Sequence, residues 1–215
     1  MDRKISWRLY ASAFLISVFV FAIGLLVGLQ VADSVNQGLQ SELTSLRLRT
    51  TELELLFFLN TTTPELCSFY STQVTSFDAD TSDFGARLGF LEEQRGRTDA
   101  GVQDLKREFS LMQLRDFLFV KRVNELCPQA GINTVLFFYT NDNCLECTQQ
   151  GLVGPDLKQI NPSKVMVYAF DVDLNSPAVN ALLSLYRINH YPSMVVNGET
   201  LRGLQTKSEI TRFFN

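Results

Sequence analysis

The chain has 215 residues, of which 46% are hydrophobic and 20% charged, and it carries a net charge of −4. A chain of this length holds one large domain, or a small domain with an anchor and a spacer. The slightly acidic balance lacks the basic face of a nucleic-acid-binding protein, and the single histidine excludes a metal site built from several histidines. Nucleic acid is therefore not expected as a partner.

The first predicted element is a membrane-spanning helix. No charged residue occurs from position 9 to position 32, and a helix of that length covers about 36 Å, more than the roughly 30 Å core of a bilayer. A cleaved signal peptide is the competing interpretation, but its apolar region is shorter and ends in an A-x-A-like site. Gln30 stands where such a site before Ala32 needs a small residue. Residues 1–33 are therefore predicted to form a cytoplasmic N-terminus and a transmembrane helix.

Basic residues predict the orientation of this helix. Arg3, Lys4 and Arg8 lie at its N-terminal end, whereas residues 33–46 contain no lysine or arginine. Because basic residues next to a span stay in the cytoplasm, we expect a single-pass membrane protein whose C-terminal part is extracytoplasmic. Stable disulfides are usual in such a compartment.

Gly24 and Gly28 form a G-x-x-x-G pair on one face of the predicted span. Such a pair lets two membrane helices approach closely, which predicts a homodimer, although glycine is also common in membrane helices without that role. The lipid bilayer is the other expected partner of this segment.

Residues 34–128 are predicted to be an all-helical stalk or spacer. Apolar residues recur there at spacings of four and three, as in amphipathic helices that pack together or form a coiled coil. A break is predicted at 60–64, where Thr63 is the expected N-cap and Pro64 lies in the first turn. The stripes predict four helices, with apolar residues from Leu39 to Phe57, Leu66 to Phe77, Phe84 to Leu91 and Leu105 to Leu126.

Two of the four cysteines belong to this helical region. Cys67 lies near the start of the second predicted helix and Cys127 near the end of the fourth. Antiparallel packing would bring these ends together, and an oxidising compartment would then favour a structural disulfide. The alternative is two unpaired buried thiols, because free cysteine behaves as a small apolar side chain.

From residue 131 to residue 215 the pattern changes to an alternation of strands and helices. Asn197-Gly198 is a strong hairpin signal, and helices are expected to open at Pro177 and Lys207. Buried strands are predicted at 135–139, 165–170 and 193–196. The order is therefore β-α-β-α-β-β-α, an α/β fold, with Cys144-Leu145-Glu146-Cys147 at the first strand-to-helix junction.

These features resemble the thioredoxin family. A strand followed by C-x-x-C, then Tyr191-Pro192 before another strand, and finally the Asn197-Gly198 hairpin stand in the family's order. The resemblance covers residues 131–215 and implies a thioredoxin-like domain that exchanges thiols and disulfides. The family's first strand and helix are not recognisable, and the fourth predicted spacer helix is the candidate for that helix's place.

The resemblance also implies a role for each site residue. Cys144 is the expected nucleophile, because amides at a helix N-terminus stabilise a thiolate. Cys147 would then attack the mixed disulfide and release the partner. Pro192 is expected in the cis form beside this pair, and the backbone of Tyr191 is expected to bind substrate.

Two further residues are candidates for tuning the site. Glu146 is expected to oppose ionisation of the neighbouring thiol, because like charges disfavour each other. His190 could act on Cys144, although a lone histidine is more often a surface or packing residue. The strand at 136–139 is apolar, whereas thioredoxin-like reductases often carry a buried carboxylate there.

The leading prediction is a membrane-tethered thiol–disulfide oxidoreductase that acts, without a cofactor, on extracytoplasmic protein thiols or disulfides and on an unidentified redox partner. The alternative is a non-catalytic binding or scaffold module with the same fold. The presence of both cysteines argues against this alternative, because a pure adaptor has no need for the pair. A zinc site that uses all four cysteines is a third interpretation. The chain has no second closely spaced cysteine pair, so no metal is expected.

Overall fold

A computed structural model of the chain describes residues 7–56 and 63–214. The chain divides into two compact units, Met1–Ser41 and Glu42–Asn215. Arg3 and Lys4, on which the predicted orientation rests, and most of the predicted break at 60–64 lie outside the described residues.

The first helix contains the predicted span. Helix α1 runs from Trp7 to Leu56, and its segment Tyr10–Gly28 is long and apolar enough to cross a membrane, with none of that segment buried. A signal sequence near an N-terminus meets the same criteria of length and composition. The helix continues beyond the apolar segment, and its part from Glu42 onward belongs to the second unit.

Two long antiparallel helices, the helical hairpin, follow in the second unit. Helix α2 covers Pro64–Arg95 and helix α3 covers Ala100–Leu126. The side chain of Thr63 accepts the amide of Leu66 at the start of α2, as predicted. The side chain of Asp99 accepts the amide of Val102 at the start of α3, so each helix begins at a polar N-cap.

The prediction of two separate helices between Leu66 and Leu91 is wrong, because α2 is continuous across that region. Thr81 joins the two predicted stripes, since it is buried and its hydroxyl donates to the carbonyl of Phe77 at 2.8 Å. The segment 65–84 contains neither glycine nor proline, so nothing in it breaks the helix.

The C-terminal half of the second unit contains a four-stranded sheet. The strands are β1 Asn133–Tyr139, β2 Val165–Asp171, β3 Ser193–Val196 and β4 Glu199–Arg202, in the order β2-β1-β3-β4. Strand β1 pairs in parallel with β2 and antiparallel with β3. Asn197 and Gly198 both have positive φ, at 50° and 95°, which confirms the predicted hairpin between β3 and β4.

Four short helices complete this part of the chain: α4 Leu145–Gly151, α5 Val153–Lys158, α6 Pro177–Leu185 and α7 Lys207–Thr211. The sequence predicted one helix after the first strand, and the structure divides it into α4 and α5 at Leu152. The predicted order β-α-β-α-β-β-α is otherwise the order observed.

Both faces of the sheet are covered by apolar side chains. On one face Leu136, Phe138 and Tyr168 pack with Phe117 and Val120 of α3. On the other face the sheet packs against Leu157 of α5 and Ile210 of α7, with Phe137 and Met194 among its own contributions. Burying both faces explains why β1 and β2 are nearly continuous apolar runs rather than alternating ones.

A disulfide joins the two ends of the helical hairpin. Cys67, in the first turn of α2, is bonded to Cys127, which caps the C-terminus of α3, with a Cα–Cα distance of 5.7 Å. Both residues are buried. The bond spans a sequence separation of 60 residues, so it restricts the unfolded chain much more than a short-range bond would.

Removing this bond should lower the free energy of unfolding substantially. For a loop of this length the chain-entropy estimate is about 4 kcal/mol. We expect the Cys67→Ala/Cys127→Ala variant to unfold at correspondingly lower denaturant in detergent micelles. The matched control is Cys144→Ala/Cys147→Ala, whose bond spans a separation of only 3 residues. Equal losses in the two double variants would contradict the prediction.

A buried carboxyl group lies between α3 and the sheet. Asp116 is 3% exposed, and the hydroxyl of Tyr168 donates to its Oδ2 at 2.7 Å. Burial raises the pKa of Asp116 to about 7 and outweighs the opposite effect of the Tyr168 hydrogen bond. The Asp116 carboxyl therefore changes between its protonated and its ionised form near neutral pH.

The stability of the fold should depend on pH through Asp116. A carboxyl whose folded pKa lies above its unfolded value of about 3.9 stabilises the fold below pH 4, and this contribution is lost as pH rises through about 7. The difference between the folded and the unfolded pKa of Asp116 corresponds to a loss of at most about 4 kcal/mol in the free energy of unfolding. Chemical denaturation across this range should show the decline in wild type and a flatter profile in Asp116→Asn.

The control for this experiment is Asp104→Asn, which changes an exposed carboxylate on the same helix. That variant should keep the wild-type decline with pH. A decline of the same size in Asp116→Asn would contradict the assignment.

Candidate active site

The two sulfurs of the C-x-x-C motif form a disulfide at the start of α4. Cys144 is the N-cap residue and Cys147 lies in the first turn, with a Cα–Cα distance of 5.2 Å. Cys144 is half-buried, whereas Cys147 is only 4% exposed. The backbone amide of Cys147 donates to Sγ of Cys144 at 3.1 Å. An incoming thiol can therefore approach Cys144 more readily than Cys147. In the reduced protein the same amide would face the Cys144 sulfur when that sulfur is a thiolate.

The loop before Cys144 is held by a carboxylate from the segment that follows β2. Asp173, just after β2, accepts the hydroxyl of Thr140 and the amide of Asn141, each at 2.7 Å. The hydroxyl oxygen of Thr140 accepts the amide of Asp142 at 3.1 Å. Asn143 then takes a positive φ of 50°, which directs the chain into α4. These contacts fix the path of the loop 140–143.

A second carboxylate connects this loop to the helical hairpin. Asp171, at the end of β2, accepts the side-chain amide of Asn141 at 2.7 Å. The ammonium of Lys106 on α3 donates to Asp171 at 2.5 Å and to Glu92 on α2 at 2.8 Å. Lys106 and Asp171 are both buried, so the cation compensates a carboxylate that would be costly to bury alone.

Two more side chains support the site from different elements. Arg97, in the turn between α2 and α3, donates to the backbone carbonyl of Asn141. Gln150 on α4 donates to the carbonyl of Gln205 at 3.2 Å and accepts the Gln205 amide at 2.6 Å. The cysteine helix is therefore attached to the segment between β4 and α7.

The Tyr191–Pro192 peptide bond is cis and directly precedes β3. Ser193 pairs with Phe138 of β1, so the antiparallel register places Pro192 opposite Tyr139, at the edge of the sheet where the cysteine loop begins. Burial raises the pKa of Tyr191, and the Asp173 carboxylate adds to this effect. The cis proline and the cysteine loop thus lie at the same edge.

The two candidate tuning residues are both exposed. Glu146 lies in the first turn of α4, and His190 offers its backbone carbonyl to the hydroxyl of Ser193 at 2.7 Å. Their effect on Cys144 stays a prediction.

The four cysteines do not meet in one cluster. Cys67 pairs with Cys127 and Cys144 pairs with Cys147, so the thiols form two separate bonds. This pairing does not fit the zinc site that uses all four thiolates.

Sequence patterns missed the polar groups that hold the loop. Asp171 and Asp173 carried a usable signal, because acidic residues directly after a buried parallel strand lie at the sheet edge where sites form. Lys106 and Arg97 carried none, since both lie in a region that looked like a solvated helical spacer. Their roles depend on contacts with residues 65 and 44 positions away in sequence.

An open groove of about 1060 Å³ lies beside the two sulfurs. Its floor is formed by side chains of the sheet, and its walls come from α4, α5, α2 and the α2–α3 turn. The lining residues include Phe137, Tyr139, Cys144, Cys147, Val167 and Met194. Tyr191 and Pro192 are both described by the structure, and neither of them lines this groove.

Comparisons with known proteins give similarity over part of the chain. No protein-family profile and no curated protein sequence matches it. A solved structure titled "Structure of a malarial protein" is 17% identical, with a TM-score of 0.32 over 38% of this chain and 92% of that one. Chloroplastic thioredoxin z is 17% identical, with a TM-score of 0.33 over 43% of this chain and 83% of that one. Scores this low carry no functional argument.

Lys106 should contribute strongly to stability because it compensates buried acids. Lys106→Met leaves Asp171 and Glu92 without their cation, and breaking a buried pair costs about 3–5 kcal/mol. The matched control is Arg47→Met, which removes a pair with Glu108 in which both side chains are 51% exposed, and such pairs contribute about 0–1 kcal/mol. Chemical denaturation measures both variants, and losses of equal size would contradict the prediction.

Proposed function

We propose that this protein is a membrane-tethered thiol–disulfide oxidoreductase with a thioredoxin-like domain, whose redox pair is Cys144 and Cys147. The observation that carries the proposal is the unequal exposure of two bonded sulfurs at a helix start. Cys144 is half-buried while Cys147 is buried, and the Cys147 amide donates to the Cys144 sulfur. A structural disulfide has no need for this asymmetry.

The exchange needs only the substrate and the pair. A substrate thiolate attacks Sγ of Cys144, the Cys144–Cys147 bond breaks, and its electron pair leaves on Cys147, which takes up a proton. A second substrate thiolate then attacks the substrate sulfur of the mixed disulfide, and Cys144 leaves as a thiolate. The substrate is oxidised to a disulfide and the pair is reduced to two thiols. The reverse sequence reduces a substrate disulfide.

The geometry of the pair supports the thiolate at Cys144. In the reduced protein the amide that now faces its sulfur would donate to the anion, and hydrogen bonds to a charged acceptor are stronger than neutral ones. Pro192 lies opposite Tyr139 at the end of β1, where the cysteine loop begins, and this position supports substrate binding by the backbone of Tyr191.

The proposed location is a membrane, with the N-terminus in the cytoplasm and the redox pair outside it. The apolar, unburied segment Tyr10–Gly28 supports the anchor. Two disulfides in the folded chain support an oxidising compartment. Gly24 and Gly28 have open space where a side chain would project, so a homodimer through this face stays part of the proposal.

Trapping of mixed disulfides tests the function. In the reducing direction the Cys144 thiolate attacks a substrate disulfide, and Cys147 then attacks Sγ of Cys144 and releases the partner. Cys147→Ser lacks this second attack, so partners should accumulate on Cys144 in native membranes and be released by reductant. Non-reducing gels and mass spectrometry identify the trapped proteins. The control is Cys144→Ser, which keeps the buried cysteine alone and should trap far less.

The scaffold alternative predicts the opposite outcome. A binding module would give no reducible adduct in Cys147→Ser, and its binding would survive in the Cys144→Ser/Cys147→Ser variant. That pair of results would overturn the proposed function.

A further inference from the structure

We infer that the groove beside Cys144 binds an extended segment of the substrate protein that carries a large apolar side chain next to its reactive cysteine. This inference rests on the proposed function and names the class of substrate and the side of the site that it occupies. The apolar side chain would enter the groove on the side of the helical hairpin, while the backbone at the reactive cysteine would pair with Tyr191 as proposed above.

The groove is continuous with the sulfurs and has an apolar floor. Cys144 and Cys147 lie at its margin, and its floor includes the partly exposed side chains of Tyr139, Val167 and Ala169. Its volume of about 1060 Å³ is slightly above the roughly 300–1,000 Å³ typical of small-molecule sites. A small thiol would fill little of it, whereas several consecutive side chains of an extended segment would fit.

Two glycines leave this floor uncovered. A Cβ atom at Gly151 would come within 3.9 Å of Phe137 Cε1, and one at Gly154 within 3.5 Å of Val167 Cγ1. Both distances are ordinary contacts, so larger residues at these positions would project over the floor and occupy the groove. Glycine at both positions leaves room in the groove for a ligand.

The rim has groups suited to an extended polypeptide. Leu145, directly after the attacked cysteine, is 73% exposed although it is large and apolar. Asn143 and Thr148 add exposed polar side chains on the same rim, and these can bond to a peptide backbone. An apolar floor with a polar rim is the usual anatomy of a protein-binding site.

The far wall of the groove comes from the helical hairpin. Ser82 of α2 and Arg97 of the α2–α3 turn both line it, and Arg97 also contacts the cysteine loop through Asn141. The hairpin therefore has a role beyond spacing the domain from a membrane. It forms one side of the substrate site.

The test uses full-length Cys147→Ser protein in detergent micelles and two peptides that differ only in Phe or Ser beside a single cysteine. Each peptide cysteine is activated as a mixed disulfide with thionitrobenzoate. The Cys144 thiolate attacks the peptide sulfur, the peptide–thionitrobenzoate bond breaks, and the released thionitrobenzoate anion is followed by its absorbance. The Phe peptide should react about tenfold faster, as partial burial of a Phe side chain allows.

Gly151→Leu in the same background should reduce this ratio to about one, because its side chain would occupy the groove beside Phe137. The matched control is Gly89→Leu on α2, where an added side chain meets open space, and it should keep the wild-type ratio. Equal rates for the two peptides in the parent protein, or an unchanged ratio in folded Gly151→Leu, would overturn the inference. Failure of Cys144 to react with either peptide would instead overturn the proposed function.

Discussion

The site depends on two carboxylates, the buried Asp171 and the exposed Asp173, that hold the loop before Cys144. Asp173 binds Thr140 and the amide of Asn141, and Asp171 binds the side chain of Asn141. A buried carboxylate such as Asp171 is costly unless a cation or several donors compensate it. Lys106 supplies the cation. Without this arrangement the loop that presents the first sulfur at the start of α4 would lose most of the side-chain contacts described above, and the Arg97 contact with the Asn141 carbonyl would remain.

This interaction also explains why the helical region and the sheet form one structural unit. The cation comes from α3, and Glu92 of α2 shares it. At the opposite end of the helical hairpin, the Cys67–Cys127 bond holds the start of α2 to the end of α3. The hairpin is thus fixed at both ends, by a covalent bond and by an ionic contact. A rigid hairpin is what an accurately placed wall for the groove requires.

Much of the fold could be predicted from sequence because its signals are local. Apolar runs predicted β1 and β2, Asn197-Gly198 predicted the hairpin, and the C-x-x-C spacing identified the pair. Two failures have physical causes. The continuity of α2 depends on Thr81, a polar residue that is buried because its hydroxyl bonds to its own helix. The role of Lys106 depends on a partner 65 residues away, and no local pattern reports such a contact.

The pH dependence of alkylation in the reduced full-length protein tests the central claim most directly. If the fixed loop and the Cys147 amide stabilise a thiolate at Cys144, iodoacetamide should modify Cys144 well before Cys147. The midpoint of the Cys144 profile should then lie below the ordinary cysteine value of about 8.5. A midpoint at or above that value, with the two cysteines modified at similar rates, would contradict the account.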